Sequence, residues 1–261
     1  MAHDHMIELL DLDAEVLSDY FREVIGWVGR EAVDRPRIVD LGAGSGTASL
    51  ALARQLPGAT VTAVDMSPEM LAHLRGRAAA AGLGDRIQTV EADLDQPWPD
   101  FGPTDVIWAA ASMHHLAHPA TALASAYGAL RPGGLLVIAE LKSFPRYLAG
   151  TAGEDVELRG HAAAAERRHE AGMHMHENWG DRATRAGFAS VIERHFDIDL
   201  RPPLPAAATR YAQLSLARMR HGLTDRLSEA DLAALDAIVA GLADRDDLGV
   251  RTERTVWLAR R

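Results

Sequence analysis

The sequence predicts an α/β fold: a mostly parallel β-sheet with helices on both faces. Short apolar segments, rich in β-branched residues, alternate with helix-like segments between residues 36 and 140. The five strand segments are 37–41, 59–65, 86–93, 104–110 and 135–140. The helix-like segments between them are 47–56, 67–81 and 119–130. Alternation of this kind is typical of a parallel sheet whose strands are joined by crossover helices.

Local signals support these boundaries. Ser67 and Pro68 supply an N-cap and a first-turn proline, and Gly82 follows the helix that they begin. Before the sheet, residues 14–30 place apolar side chains at helical spacing and predict one amphipathic helix.

The chain after residue 140 follows a different pattern. Residues 141–187 are polar and rich in Ala and His, with helical propensity. Helices are predicted at 207–220 and 228–243, and strands return within 188–200 and 250–261. We predict a single domain over 1–261, with an N-terminal helical segment at 1–35, a core at 36–140, inserted helical elements at 141–187 and 202–248, and the two closing strands.

Composition argues against several classes of protein. The 261 residues carry 27 Lys and Arg against 37 Asp and Glu, and a net charge of −10 opposes binding to nucleic acid or to an anionic membrane surface. The absence of Cys removes disulfides and thiolate metal sites. The first residues lack a secretion signal, and the chain contains no membrane-spanning apolar run. We therefore expect a cytoplasmic protein with no nucleic-acid or membrane partner.

A glycine-rich loop joins the first strand to the first helix of the core. Its glycines are Gly42, Gly44 and Gly46, and the third comes one residue too early for a dinucleotide fingerprint. Asp65 ends the next strand, where an acidic side chain can accept hydrogen bonds from a ribose. The arrangement predicts a nucleoside ligand at the carboxyl edge of the sheet, with a purely structural turn as the alternative.

These segments resemble the motifs of class I S-adenosylmethionine-dependent methyltransferases. The similar stretches, in family order, are 39–53, Asp65 with its flanking residues, 91–99, 105–119 and 130–140. The C-terminal portion also resembles actinobacterial methyltransferases that act on small molecules. The resemblance implies a Rossmann-like sheet of seven strands with the last strand antiparallel, and helical lid insertions that cover the substrate.

The resemblance also implies S-adenosylmethionine as cofactor, with S-adenosylhomocysteine as product. The implied cofactor-binding residues are Asp40, Gly42, Ala43, Gly44, Gly46, Asp65, Met66, Asp93, Leu94 and Ala110. Among them, Asp65 would hold the ribose hydroxyls, Asp93 would accept from the adenine amine, and Met66 and Leu94 would sandwich the adenine. For Met66, plain core packing is the alternative.

Methyl transfer needs alignment of the nucleophile, methyl group and sulfur more than a conspicuous catalytic set, and a general base only for a poor nucleophile. The candidates for that base are His114, His115, His174 and His176. Structural hydrogen bonding is the alternative for the first pair, and surface or packing roles for the second. We predict no metal site, since the sequence contains neither Cys nor HExxH-like spacing.

The sequence therefore predicts methyl transfer to an O or N atom of a small molecule. Three alternatives stay open: an RNA or protein methyltransferase on the same core, a cofactor-binding regulator or scaffold that transfers no methyl group, and an NAD-dependent oxidoreductase. The location of the 228–243 helix would also allow a homodimer.

Overall fold

The computed structural model describes the backbone of residues 2–261 and the side chains from His5 onwards. Met1, which belongs to the predicted N-terminal segment, lies outside the described residues. The helices are α1 (Ala2–Val16), α2 (Ser18–Glu31), α3 (Thr47–Gln55), α4 (Pro68–Ala80), α5 (Pro119–Ala129), α6 (Glu154–Glu170), α7 (Trp179–Arg185), α8 (Ala208–Gly222) and α9 (Glu229–Gly241). The strands are β1 (Arg37–Leu41), β2 (Thr60–Asp65), β3 (Ile87–Glu91), β4 (Thr104–Ala110), β5 (Leu130–Leu141), β6 (Ser190–Leu200) and β7 (Val250–Arg260).

The strands of the described chain form one seven-stranded sheet in the order β3-β2-β1-β4-β5-β7-β6. Strands β1 to β5 pair in parallel. Two hydrogen bonds show that strand β7 runs antiparallel to β5. The Gly133 amide donates to the Arg261 carbonyl at one end, and the Lys142 amide donates to the Glu253 carbonyl at the other. The Rossmann-like, mostly parallel sheet predicted from the sequence is confirmed.

Two apolar layers cover this sheet, one on each face. Alternate side chains of a strand enter different layers, as the two-residue period of a strand requires: Ile38 lies in one layer and Val39 in the other. The first layer is completed by α2, α3 and α4, with Trp27 as its largest helix side chain. The second layer is completed by α5 and α7, with Trp179 as its largest helix side chain. The predicted placement of helices on both faces is confirmed.

The described chain divides into two compact units. One holds residues 18–140, 176–196 and 255–261 and contains the two apolar layers. The other holds residues up to Leu17 together with 141–175 and 197–254, and within it α8 packs against α1, α6 and α9. The division lies close to the predicted limits of the inserted segments, and the single-domain organisation stays a prediction.

Two sequence-based boundaries were wrong. The single helix predicted at 14–30 is two helices that break at Leu17, whose side chain is buried. Strand β5 begins at Leu130 instead of 135, because Arg131–Gly134 continue the strand as partners of β7 rather than forming a free turn. In addition, residues 171–178 of the segment with helical propensity form turns and irregular chain.

None of the described helices is both long enough and apolar enough to cross a membrane.

Candidate functional site

The candidate site lies where the strand order reverses, between β1 and β4. Leu41 at the end of β1 is in register with Val64 of β2 and Ala109 of β4, so the chain segments that follow these strands leave the sheet at the same edge. In open parallel sheets, ligands bind in the crevice outside the carboxyl ends of the strands at such a reversal. The glycine loop, Asp65 and Ala110 all lie at this edge.

Backbone hydrogen bonds hold the glycine loop against β2. The Ala43 amide donates to the Val64 carbonyl at 2.9 Å, and the Gly46 amide donates to the Ala43 carbonyl at 2.9 Å. Gly42 and Gly46 have φ of +68° and +84°, a left-handed conformation that favours glycine.

The two glycines face different neighbours. A Cβ added to Gly42 would lie 2.6 Å from the Ser112 Cβ, at the mouth of the crevice. A Cβ added to Gly46 would lie 2.2 Å from the Leu74 Cγ, so Gly46 lets helix α3 approach α4 closely. The structure thus gives Gly46 a packing role alongside the ligand-approach role that the family resemblance implies.

Asp65 points its carboxylate at this loop. Its Oδ2 accepts from the Gly44 amide at 2.8 Å, and its Oδ1 accepts from the Ser67 amide at 2.9 Å. An ionised carboxylate has about four lone-pair sites, so two backbone donors fix its orientation and leave acceptor capacity for a ligand. Met66, the next residue, has 70% of its surface exposed, the largest fraction among the exposed large apolar residues. Exposure on this scale argues against the alternative of plain core packing for Met66.

Asp40 lies beneath the loop rather than on its surface. Its side chain is buried, and its Oδ2 accepts from the Ser49 hydroxyl at 2.6 Å. Burial, helped by the nearby Asp65 carboxylate, raises the pKa of Asp40 to about 7. A cation near Asp40 would therefore favour its ionised form.

The segment after β3 carries Asp93 and Leu94. Asp93 is exposed, and its Oδ1 accepts from the Asp95 amide at 2.9 Å. Leu94 is half-buried and packs against the second apolar layer. The Asp95 carboxylate accepts from the amides of Ala117 and His118 at 3.0 and 2.8 Å, which ties this segment to the loop after β4.

The segment after β4 turns sharply past Ala110. Ala111 has φ of +50°, unusual for a residue with a side chain, and its amide donates to the Ala139 carbonyl at 2.8 Å. The Ser112 hydroxyl oxygen that follows is buried and has no hydrogen-bond partner among the described residues. A buried hydroxyl without a partner beside Gly42 is the kind of group that a ligand satisfies.

His114 and His115 differ sharply in environment. His114 is buried, and its Nδ1 lies 2.6 Å from the Glu140 Oε2. The other oxygen of Glu140 accepts from the Met113 amide at 2.9 Å. His115 is exposed, with its ring centroid 4.2 Å from that of His114. This geometry favours the structural alternative for His114, because the ring is held by a buried carboxylate.

The second pair of candidate histidines lies in the irregular segment between α6 and α7. His174 is half-buried and belongs to one compact unit, whereas His176 is exposed and belongs to the other. Beyond them, Asn178 caps α7 by accepting from the Asp181 amide at 2.9 Å. Among the described residues, no group of three His, Asp or Glu side chains is placed to hold a metal ion.

Sequence reasoning missed two residues that support the site. Glu140, at the end of β5, holds His114 and the Met113 amide; an acid that ends an apolar strand was the signal that singled out Asp65, and it applied here too. Arg77 donates from α4 to the Ser45 carbonyl at 3.1 Å and to the Thr47 hydroxyl at 3.3 Å, bracing the glycine loop. No local pattern marks Arg77, since its partners lie about thirty residues earlier in the chain.

Comparison with known proteins gives a family for the core. Residues 38–134 match the model of a methyltransferase domain. Demethylmenaquinone methyltransferase of Thermus thermophilus is 40% identical over 111 residues, which cover 42% of this chain and 49% of that protein. Release factor glutamine methyltransferase of Chlorobaculum tepidum is 39% identical over 98 residues, 36% of this chain and 33% of that protein. The chain thus spans about half or less of these curated relatives.

Solved structures share the fold at lower identity. The [4+2]-cyclase SpnF superposes with a TM-score of 0.54 at 21% identity, covering 92% of this chain and 81% of that one. At this identity, the likeness concerns the fold alone. The domain match over residues 38–134, the methyltransferase relatives and the sheet order together support, for the core of this chain, the resemblance to class I S-adenosylmethionine-dependent methyltransferases.

Proposed function

We propose that this protein transfers a methyl group from S-adenosylmethionine to an O or N atom of a small molecule. The observation that carries the proposal is the Asp65 carboxylate, oriented by the amides of Gly44 and Ser67 beside the glycine loop at the strand-order reversal. The two hydroxyls of a vicinal diol, such as that of a ribose, can donate hydrogen bonds to a carboxylate that is held in this way.

The other residues at this edge fit the remaining parts of that ligand. Met66 offers an exposed apolar side chain next to Asp65, suited to one face of an adenine, and Leu94 is the candidate for the other face. Asp93 offers a carboxylate for the exocyclic amine. Asp40, buried beneath the loop, would lie near the positive amino group, whose charge favours the ionised form of a carboxyl with a pKa raised to about 7, chiefly by burial.

When bound, S-adenosylmethionine supplies a methyl group that is already activated for displacement. The protein residues then have to hold the cofactor in one orientation and present the acceptor in line. In this account, Asp65 and the glycine loop orient the cofactor, and the buried His114–Glu140 pair holds the loop after β4 in place. His115, exposed at the same edge, is the better placed of the two neighbouring histidines to receive a proton from a hydroxyl acceptor.

Two features support a small molecule as the acceptor. The net charge of −10 disfavours RNA, and one matched relative is named for a quinone-type acceptor. The other matched relative is named for a protein acceptor, so protein methylation is the runner-up. A homodimer and a cytoplasmic location also stay predictions.

A second candidate function is binding of the cofactor without methyl transfer. The [4+2]-cyclase supports this alternative, because it shares the fold and its name describes a reaction other than methyl transfer. Such a protein would bind S-adenosylmethionine and form no S-adenosylhomocysteine.

The experiment that tests the proposal follows a radioactive methyl group. The full chain is incubated with methyl-labelled S-adenosylmethionine and a panel of phenols, organic acids and amines. We expect S-adenosylhomocysteine and a labelled small product in an Asp65-dependent reaction. Label in protein would favour the runner-up, and cofactor binding without any S-adenosylhomocysteine would favour the non-methylating alternative.

A further inference from the structure

A cluster of cationic side chains includes a half-buried histidine in the unit that holds residues 141–175 and 197–254. Its members are Arg146, which follows β5, His161 and Arg168 on α6, and Arg218 on α8. None of these residues belongs to the candidate site described above.

His161 presents one ring nitrogen without a partner. Its ring donates a hydrogen bond to the Pro145 carbonyl, and its Nε2 is buried with no partner among the described residues. Since Nε2 is the unpartnered nitrogen, the Pro145 bond comes from Nδ1, which leaves Nε2 as an acceptor. Burial, together with the charges of Arg168 and Arg146, lowers the pKa of His161 to about 4, so the ring is neutral near pH 7.

Arg168 is a half-buried cation without an anion. Its guanidinium lies 3.6 Å above the centroid of the Phe144 ring, and no carboxylate in the described part of the chain pairs with it. Burial lowers the pKa of Arg168, and the neighbouring Arg218 charge lowers it further. Partly buried charges are normally paired, because removing an ion from water without a partner is costly.

The acids near this cluster are already engaged. Glu154 pairs with the Arg146 Nη2, while the Arg146 Nε stays buried without a partner in the described structure. Glu157 is buried, and its carboxylate accepts from the amides of Tyr147 and Leu148 at 2.7 and 3.0 Å. The cluster therefore has an excess of positive charge, one free donor and one free acceptor.

We propose that this cluster binds a small organic oxyanion that also carries a hydroxyl group. Arg168 and Arg218 hold the carboxylate or phosphate of the ligand, and His161 Nε2 accepts the hydrogen of its hydroxyl. Arg146 contributes its unused Nε–H. Because Arg146 retains 29% exposure of its side chain, the cluster reaches solvent and a ligand can enter.

This binding does not depend on methyl transfer. The two are tested separately, because oxyanion binding is measured with no cofactor present, whereas methyl transfer is measured by S-adenosylhomocysteine formation.

The test is calorimetric titration of the full chain with four probes: salicylate, benzoate, inorganic phosphate and the neutral salicylamide. We expect salicylate to bind more tightly than benzoate, and salicylamide to bind at least tenfold more weakly than salicylate. Phosphate binding tighter than that of both carboxylates would identify a phosphate ester as the ligand within the same chemistry.

Variants locate the binding. Arg168→Gln should weaken salicylate binding by about tenfold or more, and Arg168→Lys, which keeps the charge, should weaken it less. Arg220→Gln is the matched control, because Arg220 lies on the same helix as Arg218 and already pairs with Asp236 at 2.8 Å. His161→Phe should abolish the preference for salicylate over benzoate. Absence of anion binding by the unmodified chain, or equal loss in Arg168→Gln and Arg220→Gln, would overturn the proposal.

Discussion

Replacing Asp65 by Ala tests the candidate site at its centre. The variant loses the acceptor that the structure places beside the glycine loop, and with it the partner of the Gly44 and Ser67 amides. Because both amides lie at a half-exposed edge, water can satisfy them in part, and we expect the fold to survive. The ligand, in contrast, loses a charged hydrogen-bond partner that nothing nearby replaces.

The expected magnitude follows from that contact. A hydrogen bond to a charged group contributes about 1.5–3 kcal/mol, which corresponds to a weakening of S-adenosylmethionine binding by about 10- to 150-fold. Loss of the two backbone bonds should lower the free energy of unfolding by about 1–2 kcal/mol. Calorimetry measures the first quantity and urea denaturation the second.

Glu91→Gln is the control for this experiment. Glu91 is exposed and lies in register with Asp65 on the neighbouring strand. Its replacement by Gln therefore removes a negative charge close to Asp65 and leaves the hydrogen bonds of the glycine loop unchanged. We expect this variant to bind the cofactor as the unmodified chain does. Unchanged affinity in Asp65→Ala, or equal losses in both variants, would refute the reasoning.

Three further predictions concern the structure around the site. Gly46→Ala should lower the free energy of unfolding by about 2–4 kcal/mol, because the added Cβ overpacks against Leu74 and the backbone at this position is left-handed. In a double-mutant cycle, Leu74→Ala should recover part of that loss, and additive losses would contradict the packing role of Gly46. Glu140→Ala should cost about 2–5 kcal/mol in urea denaturation, because it leaves the buried His114 ring and a backbone amide without their acceptor, and a loss below the error of the measurement would contradict it. The Asp40 carboxyl binds a proton more tightly in the folded chain than in the unfolded one, so stability should fall as pH rises from about 4 to about 7, by on the order of 4 kcal/mol. Asp40→Asn should remove this slope, and a slope equal to that of the unmodified chain would show that another group titrates.

The order of strands and helices in the core could be predicted from sequence because each element carries its own signal. Segment 67–81, for example, begins with its capping serine and first-turn proline and is followed directly by Gly82, and the structure places α4 at Pro68–Ala80. The glycine loop and Asp65 were found for the same reason. Their spacing along the chain is fixed by one strand, one helix and the next strand.

Contacts between residues that are far apart in the chain could not be predicted from the sequence. Helix α1 packs against α8, where the Tyr211 hydroxyl donates to the Asp13 carboxylate and Arg210 pairs with Glu8 at 2.7 Å. These contacts join residues about two hundred positions apart, so the sequence predicted an N-terminal helical segment at 1–35 but not which helix it packs against. The contact between Glu140 and His114 was missed likewise: Glu140 ends the predicted strand 135–140, but packing between segments 26 positions apart decides that the His114 ring lies against it.

Calorimetric titration of the purified chain with S-adenosylmethionine, S-adenosylhomocysteine and NAD⁺ shows which nucleoside cofactor the chain binds. We expect the two sulfur nucleosides to bind at one site per chain and NAD⁺ not to bind. Binding of NAD⁺ in their place, or binding of none of the three, would contradict this expectation.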